Sequence, residues 1–463
     1  MNLSASIQPL RIFQVRPFWA VVFLVLITPF EEFVFKYAPV SDLGFFALRF
    51  TGEGLVYLAL LLLVVDRSFK RQPLVRTPLD KPLLGLLLVA LISLVLNQSP
   101  LVGSLVSMRP FVRYVLLFYL VANLTLSDRD VMLLLRLIVW AGLLQLLLGV
   151  VQAGGHPAVY AFFSPRTTAV EVAGYSKTFI LVERGRELGA LFGTLGDTLL
   201  FGLFLMIVMV VVLVRFGLRS VVARGLLLAI FCAIALSYSR AATLAAGVGF
   251  LVWVRYRYGV RSLVRLLLIG GILGGLLLTA LSDQSGGYAN PRKKQQDIIE
   301  NMTGIFTPEY IEVAKKQRLG ALIGTLPTVL NNRPLVGYGP DQEHAIEGLN
   351  ASQTSFLLKV LDQGGFKDVY WVAFTAFYGI AGLVLLGLVF YRLQRAGVRA
   401  WYGDGDRLTR QLGLLMAVLV PMTVFLLFFN RAIEFRAYGV YFWLFAGLLF
   451  CRKSFSSLGC RYD

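Results

Sequence analysis

"TLLFGLFLMIVMVVVLV", residues 198–214, carries no charge and no polar stripe. A helix of this composition has no face to give to water, which excludes a large soluble helical protein. Outward from this stretch, similar apolar runs recur along a chain of 463 residues that is 57% hydrophobic. About 20 mainly apolar residues cross the hydrocarbon core of a bilayer. Twelve spans are expected, at 18–35, 44–65, 82–97, 101–122, 131–152, 191–214, 225–238, 241–254, 264–282, 369–391, 411–429 and 436–451. The expected fold class is therefore an all-α polytopic membrane protein, one integral-membrane domain over 1–463. The first apolar run lacks a small-residue cleavage site and is expected to stay as a helix.

The net charge of +18 is spread in short clusters between apolar runs, which is how topology is encoded. It does not form the basic face of a soluble nucleic-acid-binding domain, so no nucleic acid is expected. Alternate connections are basic: "DRSFKRQPLVRTPLDK", "RFGLRSVVAR", "RYRYGVRSLVR" and "YRLQRAGVRAWYGDGDR". The intervening ones are short or balanced. The positive-inside rule then places both termini in the cytoplasm. Two sizeable loops lie outside: a smaller one at 153–190 and a larger one at 283–368, with short helices expected in the second.

Ionisable residues inside spans are costly and mark function or pairing. Glu31, Glu32, Arg49, Glu53, Arg109, Arg113, Arg240, Arg431, Glu434 and Arg436 all fall toward the outer side in this topology. Arg49 and Glu53 are one helical turn apart and suited to neutralise each other. Arg109 and Arg113 are also one turn apart but repel unless an anion stands between them. Glu31 and Glu32 are candidates, and so is a phosphate, which arginine grips bidentately. The pattern predicts an arginine-lined cavity open to the outer side, fitted to a lipid with a phosphate or diphosphate head.

Cys232, Cys451 and Cys460 have no metal-ligand spacing, and no metal or cofactor is expected. "DRD" (128–130) and "DGD" (404–406) resemble metal-binding carboxylate pairs but fall on the basic, inner side. His156 sits in the turn "AGGHPAV" and reads as structural.

Three patches resemble the O-antigen ligase and O-antigen polymerase superfamily of bacterial envelope proteins. "RELGALFGTLGDTLLFGL" begins at Arg186 and is similar to that family's Arg, Gly and Phe-Gly pattern, with Asp197 where Asn is usual. "LSYSRAATLAAGVGFLV" resembles its Ser-Arg-Gly-Ala step at Arg240, with Ala241 for the Gly. "QRLGALIGTLPTVLNNRPLVGYGP" (with Arg318), followed by "SFLLKVLDQGG", resembles the close of its large periplasmic loop. The family's His-Asn pair falls here at Gln353 and Thr354. A neutral amide cannot take a proton as imidazole does. Either His344, in "GYGPDQEHAIEGLNASQTSF" (337–356), replaces it, or a carboxylate such as Asp341, Glu343 or Glu347 does, or this chain does different chemistry.

The resemblance implies glycan transfer at the periplasmic face of the inner membrane. The donor would be a polyprenyl-diphosphate-linked glycan, and the acceptor a hydroxyl of another glycan or of lipid A core. Fixed cations would stabilise the leaving diphosphate: Arg186, Arg240 and Arg318, supported by Arg109 and Arg113. A general base, for which His344 is the first choice, would take the acceptor's proton. The rival expectation is a transporter or flippase for a lipid-linked sugar or a small anion. Transporters usually show related halves and midplane sites on interrupted helices; this sequence shows no repeat, and its charges gather toward one face.

Overall fold

A computed structural model describes residues 17–41, 44, 47–154, 156–164, 169–172, 175–178, 191–269, 320–351 and 369–451. Arg186, Arg318, Gln353 and Thr354 lie outside the described residues. The described chain is a helical bundle with one short antiparallel hairpin, Ala169–Val172 (β1) and Tyr175–Thr178 (β2).

In chain order the helices are α1 (Pro17–Ile27), α2 (Glu31–Lys36), α3 (Thr51–Phe69), α4 (Asp80–Leu96), α5 (Leu101–Ala122), α6 (Asp128–Ala153) and α7 (Pro157–Phe163). After the hairpin come α8 (Thr198–Phe216), α9 (Val221–Leu236), α10 (Arg240–Tyr258), α11 (Gly320–Asn332), α12 (Gln342–Ala351), α13 (Tyr370–Tyr402), α14 (Arg407–Leu426) and α15 (Arg436–Phe450). Among the described residues, α5, α6, α8, α13 and α14 are long and apolar enough to cross a membrane. Shorter apolar helices are α1, α9 and α15. Leu58, Leu61, Leu84, Leu88 and Trp140 stand exposed on the outside, a surface that suits lipid rather than water. The protein is a helical membrane protein.

The opening stretch proves to be the bundle's axis. From Phe201 to Leu213 every residue of α8 is buried, enclosed by α6, α9, α10, α14 and α15. Its uniform apolarity therefore answers to protein on all sides. The same holds for α15, buried from Ala437 to Phe450.

Four expected spans differ in outline. The run 18–35 is split at Thr28–Phe30, where Pro29 lacks the N–H that would continue the ladder. Helix α3 starts at Thr51, not 44. Residues 191–197 are not helical, because Gly193 and Gly196 adopt positive φ and Asp197 caps α8 by accepting from the amides of Leu199 (2.6 Å) and Leu200 (3.2 Å). Helix α13 extends to Tyr402 but is broken at Gly379 (φ +64°). The two carboxylate tripeptides are caps. Asp130 completes a capping box with Ser127, and Asp406 accepts from Thr409 N at 2.7 Å.

Candidate functional site

Two irregular segments are built into the bundle, and both carry the glycine-rich patches singled out in the sequence. The first, 191–197, is held by two glutamines two turns apart on α6. Gln152 Oε1 accepts from the amides of Phe192 (3.1 Å) and Gly193 (2.9 Å), and its Nε2 donates to Gly193 O at 2.9 Å. Gln145 Oε1 accepts from Thr194 N at 3.0 Å, and its Nε2 donates to Pro29 O at 2.9 Å. The loop is thereby tied to the break between α1 and α2. Leu191 N also donates to Leu236 O at 3.2 Å, so the Arg186 patch abuts the Arg240 patch.

The second segment, 334–339, enters the break in α13. Tyr338 N donates to Ala376 O (2.7 Å), Gly339 N to Phe377 O (3.2 Å), Ile380 N to Pro334 O (2.8 Å) and Ala381 N to Leu335 O (3.2 Å). A Cβ on Gly379 would lie 2.4 Å from the Leu335 carbonyl, and one on Gly337 2.4 Å from Ala376 O. Ser93 Oγ on α4 lies 2.6 Å from Val336 O and 3.1 Å from Phe377 O, and Asn97 Nδ2 donates to Gly337 O at 3.1 Å. Irregular backbone inside a helical membrane protein is tolerated where protein groups satisfy it, as they do here.

Between these segments runs a continuous polar rim at one end of the bundle. Glu31 pairs with Arg436, and Glu32 with Arg49. Arg436 Nη2 donates to Arg49 O at 2.7 Å. Glu53 pairs with Arg113 and stands 3.4 Å from Arg109 Nε, while Arg113 Nη2 donates to Glu434 O at 3.1 Å. Arg431 lies 3.9 Å from Glu434 and donates to Gln342 Oε1 at 3.2 Å.

The sequence expectation is corrected here. Arg49 and Glu53 do not neutralise each other, and Glu31 and Glu32 do not separate the two arginines. Arg49 precedes α3, which turns Glu53 toward α5. Glu53 is the anion between Arg109 and Arg113. Arg109 also lies over the ring of Phe50, its guanidinium carbon 4.4 Å from the centroid.

An opening of about 500 Å³ lies on the opposite face of α5 from these arginines. It is walled by Leu83, Leu87, Phe111, Val115 and Phe374, with Gln342, Glu343, Arg431 and Glu434 at one end. At the other end Asp80 accepts from Tyr119 OH at 2.9 Å. Burial pushes the Glu434 carboxyl up, against the pull of Arg431.

His344 is half-buried on α12 beside this opening, its Nε2 3.0 Å from Asn97 O. A carbonyl only accepts, so Nε2 carries a proton, and in the neutral ring Nδ1 is the acceptor. Asp341 is buried and caps α12 through Glu343 N (2.9 Å) and His344 N (3.0 Å). Glu347 is exposed, whereas Glu343 lines the opening. Arg240 opens α10 behind Ser239, whose hydroxyl accepts from Ala242 N at 3.4 Å. His156 Nδ1 accepts from Ala158 N at 3.2 Å and caps α7.

Sequence reasoning weighed the ionisable residues and passed over Gln145, Gln152, Ser93, Asn97, Gln342 and Tyr370. Gln145 and Gln152 recur at a helical interval on one face of an apolar run, a signal that was available. No protein-family model matches the chain, and no curated protein matches it.

Proposed function

We propose that the protein is a glycosyl-transfer enzyme of the bacterial inner membrane. It moves a glycan from a polyprenyl-diphosphate-linked donor to an acceptor hydroxyl at the periplasmic face, as a ligase or a polysaccharide polymerase. Twelve spans, cytoplasmic termini and periplasmic loops at 153–190 and 283–368 belong to this reading.

One observation carries it: a single polar rim links the segments that resemble the ligase and polymerase family. It runs from the Gln145–Thr194–Pro29 clamp, through the paired arginines and glutamates, to Gln342, with Asn97 bridging His344 and Gly337. In this scheme Arg186, Arg240 and Arg318 stabilise the leaving diphosphate. Arg109 and Arg113 are committed to Glu53 and act as supports. The acceptor's proton goes to His344 Nδ1 or to Glu343.

The test is glycan profiling of a strain lacking the chromosomal copy, complemented with wild type or with Arg186→Ala, Arg318→Ala, His344→Ala, Glu343→Gln or Gln353→Ala at matched protein levels. The arginine variants are expected to accumulate lipid-linked donor and lose product. Loss of capped lipid A core marks a ligase; single repeats in place of long chains mark a polymerase.

The break in α13 at Gly379 favours a second reading, a transporter or flippase, since such proteins place sites on interrupted helices. Intact glycans with failed solute uptake or lipid flipping in the same strains would establish it.

A further inference from the structure

The large opening is unlike the arginine rim behind it. Its acidic and basic lining residues are Asp80, Glu343, Arg431 and Glu434, three carboxylates to one cation. Asp80 is engaged at the closed end by Thr77 N (2.9 Å) and Tyr119 OH (2.9 Å). The polar end therefore presents two carboxylates, one guanidinium, the Gln342 amide and the Ser107 hydroxyl. Tyr370 is 3% exposed and lines this end, with its hydroxyl directed at the Glu434 carboxyl. Pro110 has no N–H for the Val106 carbonyl, and both residues line the same wall.

These groups are acceptors and donors without excess positive charge. An anionic head would meet repulsion here, whereas hydroxyls donate to carboxylates and carbonyls and accept from amide, phenol and guanidinium. Tyr370 and Tyr378 add aromatic rings. The remaining wall is apolar, aliphatic with Phe111, Phe374 and Phe377 among it, and runs along α5 from Val106 to Tyr119, about 20 Å at 1.5 Å per residue. Leu84, Leu87 and Val106 line it and are exposed, so the trough opens sideways toward lipid. Its volume of about 500 Å³ is that of a ligand site.

We propose that this trough seats a lipid with an uncharged, hydroxyl-rich head: a neutral glycolipid whose chain lies against α4, α5 and α13 and whose sugar sits among Gln342, Glu343, Glu434 and Tyr370. It is a binding assignment and does not rest on glycosyl transfer. If transfer holds, the trough is the neutral partner's seat, separate from the cations that counter the diphosphate.

The test uses full-length protein in phosphatidylcholine nanodiscs and a dodecyl glucoside bearing a diazirine in its chain. Labelling is expected on α5 and α13, with at least tenfold better competition by unlabelled dodecyl glucoside than by dodecyl phosphate. Ala90→Trp, which fills the trough, is expected to abolish labelling. Glu343→Gln, at the open polar end, is expected to weaken it several-fold with unchanged thermal unfolding, which keeps the test valid if Ala90→Trp does not fold. Equal or better competition by dodecyl phosphate overturns the assignment, as does labelling untouched by both variants. Because no turnover is read, failure here leaves the glycan-profiling result standing, and the reverse also holds.

Discussion

Glu53 and Arg113 face each other across α3 and α5 as a buried ion pair, with Arg109 on the second carboxylate oxygen. Removing Glu53 strands the Arg113 charge, a loss of about 3–5 kcal/mol for a buried pair, and removing Arg113 leaves Glu53 with only the more exposed Arg109. Glu53→Gln and Arg113→Gln are each expected to lower the unfolding temperature strongly. The double variant should lose much less than the sum, read by thermal unfolding in detergent. Arg109 is 36% exposed, so Arg109→Gln should cost about 1 kcal/mol or less. Additive losses in the double variant would show that the pair is not coupled.

Within one helix, two glycines should behave oppositely. A Cβ on Gly379 would press on the Leu335 carbonyl, and its φ of +64° disfavours any L side chain. A Cβ on Gly387 meets nothing within 4 Å. Gly379→Ala should therefore fail to yield folded protein, while Gly387→Ala should be neutral or stabilising by up to about 1 kcal/mol. Size-exclusion profiles of the two variants decide it; a monodisperse, stable Gly379→Ala would contradict the threaded break.

Gln152 holds three backbone groups of the 192–193 turn. Gln152→Leu leaves them buried without partners, at about 1–3 kcal/mol for each unsatisfied group. Gln152→Glu keeps the acceptor but loses the donor to Gly193 O, so it should fall between Leu and wild type. Hydrogen exchange at the amides of Phe192 and Gly193 is the readout, and unchanged protection in Gln152→Leu would sink the clamp.

Glu434 holds its proton more tightly in the folded state than in the unfolded chain, because burial disfavours the carboxylate. Below the ordinary carboxylate range both states are protonated and the group contributes nothing to pH dependence. As pH rises, the unfolded chain releases its proton first, so stability falls until the raised value is passed. Glu434→Gln removes this loss. Its unfolding temperature relative to wild type should rise between pH 4.5 and pH 8; a fall would mean that Arg431 outweighs burial.

Among the described residues, five helices long and apolar enough to cross a membrane fall on apolar runs of the sequence, because a long apolar run has few alternatives in lipid. It misjudged where they break. Pro29 announces its break, but Gly379 is one of 44 glycines, and only the threaded 334–339 segment makes its conformation necessary. Charge pairing was less legible. The turn that carries Arg49 away from Glu53 is local geometry, and the partners Glu32 and Glu53 are chosen by helices distant in sequence. The resemblance drew attention to glycine-rich patches whose fixing residues, Gln145, Gln152, Ser93 and Asn97, lie on helices outside them.

The closing contacts of α15 bear on how the molecule is made. Tyr441 OH donates to Val25 O at 3.0 Å across 416 residues of sequence, and Arg436 neutralises Glu31 at the first break. The earliest described helices thus enter the bilayer with an unmatched acid and an open carbonyl, and wait for the latest described helix to complete them. A chain that ends before α15 therefore leaves Glu31 without the arginine that neutralises it, a costly charge in a membrane protein.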